Sequence, residues 1–307
     1  MVRDGTVSGD MYGDRVYHDR VSFAQGAAGA GFNFVKKDTD IWYVDSGKTG
    51  PASSGDGTTW DKAVMTLAEA VALAGDHDTI LIGSNDIETV AATGIDITQE
   101  GLKILGSAKT SASQNCAFKC TGTAAMLRIA SDRVEIAGIT LSQRGAYTCI
   151  EIGTAGDGSQ YETHIHHCNF DGYGTSTYGV SGYGQTGDTV GLVVEDCTFM
   201  SFATAAIHAS GSKDTYRRNT IFVPTSTTGI HVKDAGGDKN WTVIVDNDLI
   251  GITDAIGIVF AAGAPTAGTV MLARNMLSGT WGTTITDIAQ GIENYVSDAS
   301  GGALINC

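Results

Sequence analysis

From about residue 79 onward the chain repeats itself loosely, and two interleaved repeats sharing one period limit its folds more than any other feature. The first is a triplet of apolar or small residues around a variable one: Leu127-Arg128-Ile129, Ile150-Glu151-Ile152, Val180-Ser181-Gly182, Ile207-His208-Ala209, Ile230-His231-Val232 and Ile256-Gly257-Ile258. Their first members lie 23, 30, 27, 23 and 26 residues apart. The second precedes most of these: Ile136 to Leu141, Ile165 to Phe170, Val194 to Phe199, Tyr216 to Ile221, Val243 to Leu249 and Met271 to Leu277. Within it Ile139, Cys168, Cys197, Asn219, Asn247 and Asn275 are spaced by 29, 29, 22, 28 and 28 residues.

Short strands with alternating burial, bent every few residues and repeated every 20 to 30 residues, describe a solenoid whose coils stack on one another. Parallel stacking places equivalent residues about 4.8 Å apart, so the apolar positions become internal columns. An Asn at a bend then satisfies both its own turn and the backbone of the next coil. The expected fold is all-β: a parallel β-helix of about eight coils between Thr79 and about Gln290, a rod about 40 Å long.

Composition agrees. The chain of 307 residues has 41 Gly but only 3 Pro, which suits many tight turns and few long helices. Its formal net charge of −15 repels phosphate, so no nucleic-acid partner and no anionic membrane partner is expected. No apolar run approaches the roughly 18 residues of a membrane span. Met1 to Arg20 is rich in Asp and Arg and has no apolar core, so no export signal is expected. Six scattered cysteines are unlike a small disulfide scaffold, and reduced thiols made in a cytosol are the reading.

Ahead of the repeats, Ile41 to Val44 reads as a strand and Ser46 to Thr58 as a loop. Trp60, Val64, Leu67, Val71 and Ala74 recur at helical spacing. They predict an amphipathic helix over about 61–74, opened by Asp61 and stopped by Gly75, that covers the exposed end of the β-helix core. Residues 1–40 keep neither period and are expected to be an extended N-terminal arm that docks on another chain; residues 41–307 form the β-helix domain.

Trp42-Tyr43-Val44-Asp45, Gly55-Asp56-Gly57-Thr58, Thr66-Leu67-Ala68-Glu69-Ala70 and Gly75-Asp76-His77-Asp78-Thr79-Ile80 resemble the opening segment of right-handed parallel β-helix proteins of the pectin-lyase-like type. The resemblance covers about 41–290 and supplies the handedness. It implies a group that includes polysaccharide lyases, glycosidases, phage tailspikes and non-catalytic virion proteins, so it specifies fold more than function.

Stacking would align Arg128, Glu151, Ser181, His208 and His231 on one outer face. Such a strip can bind sugar hydroxyls or supply an acid and a base; the plainer reading is a solvent-facing column that happens to be polar. Glu151 stands alone there, without the second carboxylate of glycoside hydrolysis. The clustered Asp residues of the group's calcium-using lyases, and the paired Asp and Gly-His-Gly of its polygalacturonases, are not found. His164, His166, His167 and Cys168 have the composition of a metal site, but on a strand His167 would face away from His164 and His166, and outward polar residues are preferred. Cys168 and Cys197 are expected to stack as buried thiols rather than a disulfide. Gly182-Tyr183-Gly184-Gln185-Thr186-Gly187 fits a dinucleotide fingerprint without the strand and helix it needs.

No catalytic residue, metal or cofactor is therefore expected. The reading is a structural protein of a phage-like virion: a homotrimeric capsid-decoration protein on the particle surface, made in the host cytoplasm. It would hold a major capsid or other virion protein through residues 1–40. The alternative is a tail fibre or tailspike that binds or cleaves host-surface polysaccharide.

Overall fold

A computed structural model describes residues 39–47, 55–83, 87–107, 116–153, 160–182, 189–232, 242–260, 270–285, 291–292, 294–297 and 303–305. Apart from Thr39 these belong to one unit, Asp40–Cys307. The N-terminal arm expected over residues 1–40 lies, but for its last two residues, outside them, as do Cys307 and most of the Gly182 to Gly187 motif.

The chain is a parallel β-helix with three faces. The first face is a ten-stranded sheet in which Thr79–Ile82, Lys103–Gly106, Glu135–Ala137, His164–His166, Val193–Glu195, Thr215–Arg217, Thr242–Val245 and Val270–Ala273 each open a coil. Those eight strands are the eight coils expected. Ile41–Val44 adds in parallel to the first of them and Gly291–Ile292 to the last. The second face stacks Ile87–Thr89, Cys116–Cys120, Ile139–Gln143, Asn169–Asp171, Thr198–Met200 and Thr220–Val223. The third stacks Ile95–Ile97, Leu127–Ile129, Ile150–Ile152, Tyr178–Ser181, Ala205–Ala209 and Thr228–Val232. In the last two coils single long strands, Asp248–Phe260 and Met276–Ile285, run across both faces. Ala303–Ile305 closes the edge by pairing antiparallel with Asn294–Ser297.

Register builds the core. Ile80, Ile104, Ile136, Ile165, Val194, Tyr216, Ile244 and Leu272 form one inner column, each fully or almost fully buried. Phe118, Leu141, Phe170, Phe199, Ile221, Leu249 and Leu277 form another, with the Phe170 and Phe199 rings stacked at 4.6 Å. Each such side chain withdraws from water at a gain of about 1.5–3 kcal/mol.

At the bend between the first and second faces the expected ladder is observed, extended upward by one member: Cys116, Ile139, Cys168, Cys197, Asn219, Asn247, Asn275. The residue before each of its last six members is left-handed: Gly138 (φ 69), His167 (54), Asp196 (53), Arg218 (53), Asp246 (57) and Arg274 (51). That conformation turns the chain sharply, and five of the six positions tolerate it without glycine. No disulfide joins Cys168 to Cys197; both are buried thiols, as are Cys116, Cys120 and Cys149. Burial raises the Cys149 thiol to about 12.

Two expectations are corrected. The helix over 61–74 is a 3-10 turn, Trp60–Lys62, followed by an α-helix, Leu67–Leu73. Val64 between them is extended: it bridges Val44, and its N–H donates to Tyr43 O at 2.9 Å. Val64 is buried by that bridge and not by a helical stripe, and Trp60 is 43% exposed. The helix is capped by Thr66, whose hydroxyl accepts from Glu69 N while Glu69 accepts from Thr66 N, rather than by Asp61. Leu67, Ala70 and Val71 do join the core, as a cover for its end requires. Second, the triplet ladder slips at its last member: Ile258, not Ile256, aligns with Ile230, and Val259, not Gly257, with His231. Irregularity around Gly251 to Ile256 supplies the two extra residues.

Candidate functional site

The opening motif acts as a clasp. Asp78, buried beneath the first coil, accepts from Asp40 N at 2.9 Å, Trp42 Nε1 at 3.0 Å and Gly75 N at 2.7 Å. Asp56 accepts from both the amide and the hydroxyl of Thr58, and Gly57 is left-handed (φ 77) where a Cβ would lie 2.9 Å from the Trp42 ring. From the first coil, Glu88 Oε2 accepts Leu67 N, the first amide of the helix, at 2.7 Å.

The five residues singled out on the third face do stack. Arg128, Glu151, Ser181, His208 and His231 are successive register partners, and Asp96 precedes them. Glu151 is therefore not the lone carboxylate of its column. Arg128 lies between Asp96 and Glu151 and gives its Nε–H to Asp96. Burial raises the Glu151 carboxyl above its usual range, against the opposing pull of Arg128. Further along, Ser181 Oγ lies 3.1 Å from His208 Nδ1, and the Tyr178 ring stacks on His208 at 4.6 Å. Ser181 and His208 are only 4% and 3% exposed, so the middle of the column is covered and not solvent-facing as expected. His208 and His231 rings are 5.4 Å apart.

A second polar network, on the first face, escaped the sequence reading. Its first-face residues are Glu135, His164, His166, Glu195 and Arg217. Glu195 accepts from His164 Nε2 at 2.8 Å, Arg217 Nε at 2.5 Å and Arg218 Nη2. Burial alone would raise its carboxyl, but the hydrogen bonds and charges of Arg217, His164 and Arg218 outweigh that and bring it to about 2. His166 Nε2 lies 3.2 Å from Glu135 Oε1, and the His164 and His166 rings are 4.3 Å apart. His167 does not face away from them: its Nδ1 is 2.9 Å from His166 Nδ1, because the chain leaves the strand there. Diagonal pairs two coils apart, such as Glu135 with His166 and His164 with Glu195, become visible once the period of 29 is applied to the first face.

Among the described residues no group of three or more His, Cys, Asp or Glu side chains is placed to hold a metal ion, and no helix is long and apolar enough to cross a membrane.

Stacked coils, bend columns and two outer polar ladders define a parallel β-helix protein. No family model and no curated protein matches the chain. Three solved structures are similar to it. An alginate lyase from Paenibacillus sp. str. FPU-7 has a TM-score of 0.35 at 14% identity, over 75% of this chain and 95% of that one. ORF18 of Geobacillus virus E2 has a TM-score of 0.33 at 9% identity over 72% of this chain, which spans about half (53%) of the viral protein. A DFA-IIIase from Arthrobacter chlorophenolicus A6, in complex with GF2, has a TM-score of 0.26 at 12% identity over 75% and 79% of the two chains.

Proposed function

We propose that the chain is a structural protein of a phage-like virion, a homotrimeric capsid-decoration protein whose β-helix stands as a stiff post on the particle surface. The observation that carries this reading is the bend column. Asn219 Nδ2 donates to Asn247 Oδ1, and Asn247 Nδ2 to Asn275 Oδ1, so side chains as well as backbone tie each coil to the next. The opening segment supports it too, since its resemblance extends to virion proteins. Self-association is supported by the second face, where Met200 and Phe222 are register partners, each 39% exposed, and Ile250 continues their column. Residues 1–40 are assigned the contact with a major capsid or other virion protein. Cryo-microscopy of the native particle, with sedimentation of the isolated chain, tests this. Trimers seated on the capsid lattice are expected; a monomer, or density confined to the tail, rejects it.

A second reading, a tailspike acting on host polysaccharide, is favoured by one observation. Asp96 and Glu151 flank Arg128 two strands apart, about 10 Å, which is near the separation of an acid and base that admit a water between them. With its carboxyl held toward the protonated form, Glu151 would be the acid and Asp96 the base. New reducing ends from capsular polysaccharide, lost in Glu151→Gln, would favour this reading; unaltered polysaccharide favours the first.

A further inference from the structure

His166 and His167 are adjacent in sequence, yet their ring nitrogens converge. Glu135 is the reason on one side. Its Oε2 lies 2.8 Å from Lys103 Nζ and its Oε1 3.2 Å from His166 Nε2. Burial would raise this carboxyl, but the hydrogen bonds from Lys103 and His166 prevail and lower it, so it stays ionised and can only accept. His166 therefore carries its proton on Nε2 and presents the Nδ1 lone pair outward. The bend is the reason on the other side. At φ 54 His167 swings beside His166 instead of to the opposite face, with the two Nδ1 atoms 2.9 Å apart and the rings at 81°.

Two imidazole nitrogens each about 2.0–2.1 Å from one ion, and 2.9 Å from each other, subtend nearly a right angle at it. That is the cis angle of tetragonal coordination and is narrower than a tetrahedral one. We propose that Nδ1 of His166 and Nδ1 of His167 form a binding site for a divalent transition-metal ion, with Cu2+ and Ni2+ preferred over Zn2+. Glu135 fixes the tautomer and orientation of His166, the carboxylate–histidine–metal arrangement that sustains ligand basicity. His167 is exposed on its bend, so its ring has room to turn its lone pair onto the ion. Asp196, the equivalent bend residue one coil on, is held at 2.8 Å through both oxygens by Arg218 and is not a ligand. With two protein ligands, water fills the remaining positions. The site does not depend on the virion reading.

Calorimetric titration of the tag-free full chain with NiCl2, CuCl2 and ZnCl2 tests the site, together with paramagnetic resonance of the Cu2+ form. One ion per chain is expected, with nitrogen couplings from two imidazoles and weakest binding for Zn2+. His167→Asn keeps a residue suited to the left-handed bend and should weaken binding at least tenfold, as should His166→Gln. Glu135→Gln should weaken it about 10–100-fold. His164→Ala, whose Nε2 is committed to Glu195, should leave it unchanged. Absence of saturable binding, a His167→Asn titration that superimposes on the parent, or an equal loss in His164→Ala would overturn the proposal.

Discussion

Asn247 accepts from both the backbone and the side-chain amide of Asn219, at 3.1 and 3.0 Å, through a single Oδ1 atom. Its own Nδ2 donates to Tyr216 O at 3.0 Å and Asn275 Oδ1 at 2.9 Å. One side chain thus meets the hydrogen-bonding needs of three coils in a place where water does not reach.

Asn247→Ala should therefore be costly. It leaves Asn219 N and Tyr216 O buried without these partners, at about 1–3 kcal/mol for each. A loss of about 2–5 kcal/mol in urea unfolding is expected, with Asn247→Asp also destabilised because a carboxylate cannot donate to Tyr216 O. A midpoint within error of the parent would show that the ladder adds nothing to the backbone pairing.

The same column shows what a sequence can disclose. Inner positions are legible because burial admits few residue types, so Ile165, Val194 and Tyr216 recur with the coil. Outer positions obey no such limit, and Glu135, Glu195, Arg217 and Arg218 looked like ordinary surface charge. Departures from regular backbone were illegible for a related reason. Val64 has helical spacing but is buried by a bridge to Val44, and Ile256 sits in a triplet displaced by the irregularity after Gly251. His167 was placed on the wrong side because alternation was carried one residue past the end of its strand. What covers Ser181 and His208 leaves no trace in the periodicity.

Acid should test the Glu195 network. The folded carboxyl, at about 2, lies below its ordinary value of 4.5, so folding favours the ionised form. The resulting stability is present in full above pH 4.5 and is lost as pH falls toward 2. Glu195→Gln, which cannot be ionised, should lower the melting temperature at pH 7 and flatten the dependence of stability on pH between those limits. Parallel stability–pH curves for the two proteins would remove Glu195 as the cause.

The Asp78 clasp predicts a local effect. Asp78→Ala deprives Asp40 N, Trp42 Nε1 and Gly75 N of one acceptor at once. Because strand Ile41–Val44 pairs with only one other strand, Thr79–Ile82, faster hydrogen exchange should be concentrated in residues 40–44 and around Gly75. Exchange accelerated equally in the Thr215–Arg217 coil would mean that the clasp supports the whole solenoid and not its first turn.

On the third face, Arg128 is the one neighbouring charge that opposes the rise of the Glu151 carboxyl. Removing it takes away a cation that favours the ionised form, while the burial that disfavours that form remains. Arg128→Ala should therefore move the Glu151 titration to higher pH, which carboxyl-carbon NMR would follow directly. Glu151 would then hold its proton further toward neutral pH, and any acid-dependent cleavage of polysaccharide would persist to higher pH in the variant. A titration that stays in place or moves down would separate Arg128 from Glu151 and withdraw the support that the Asp96–Arg128–Glu151 column lends to the polysaccharide reading.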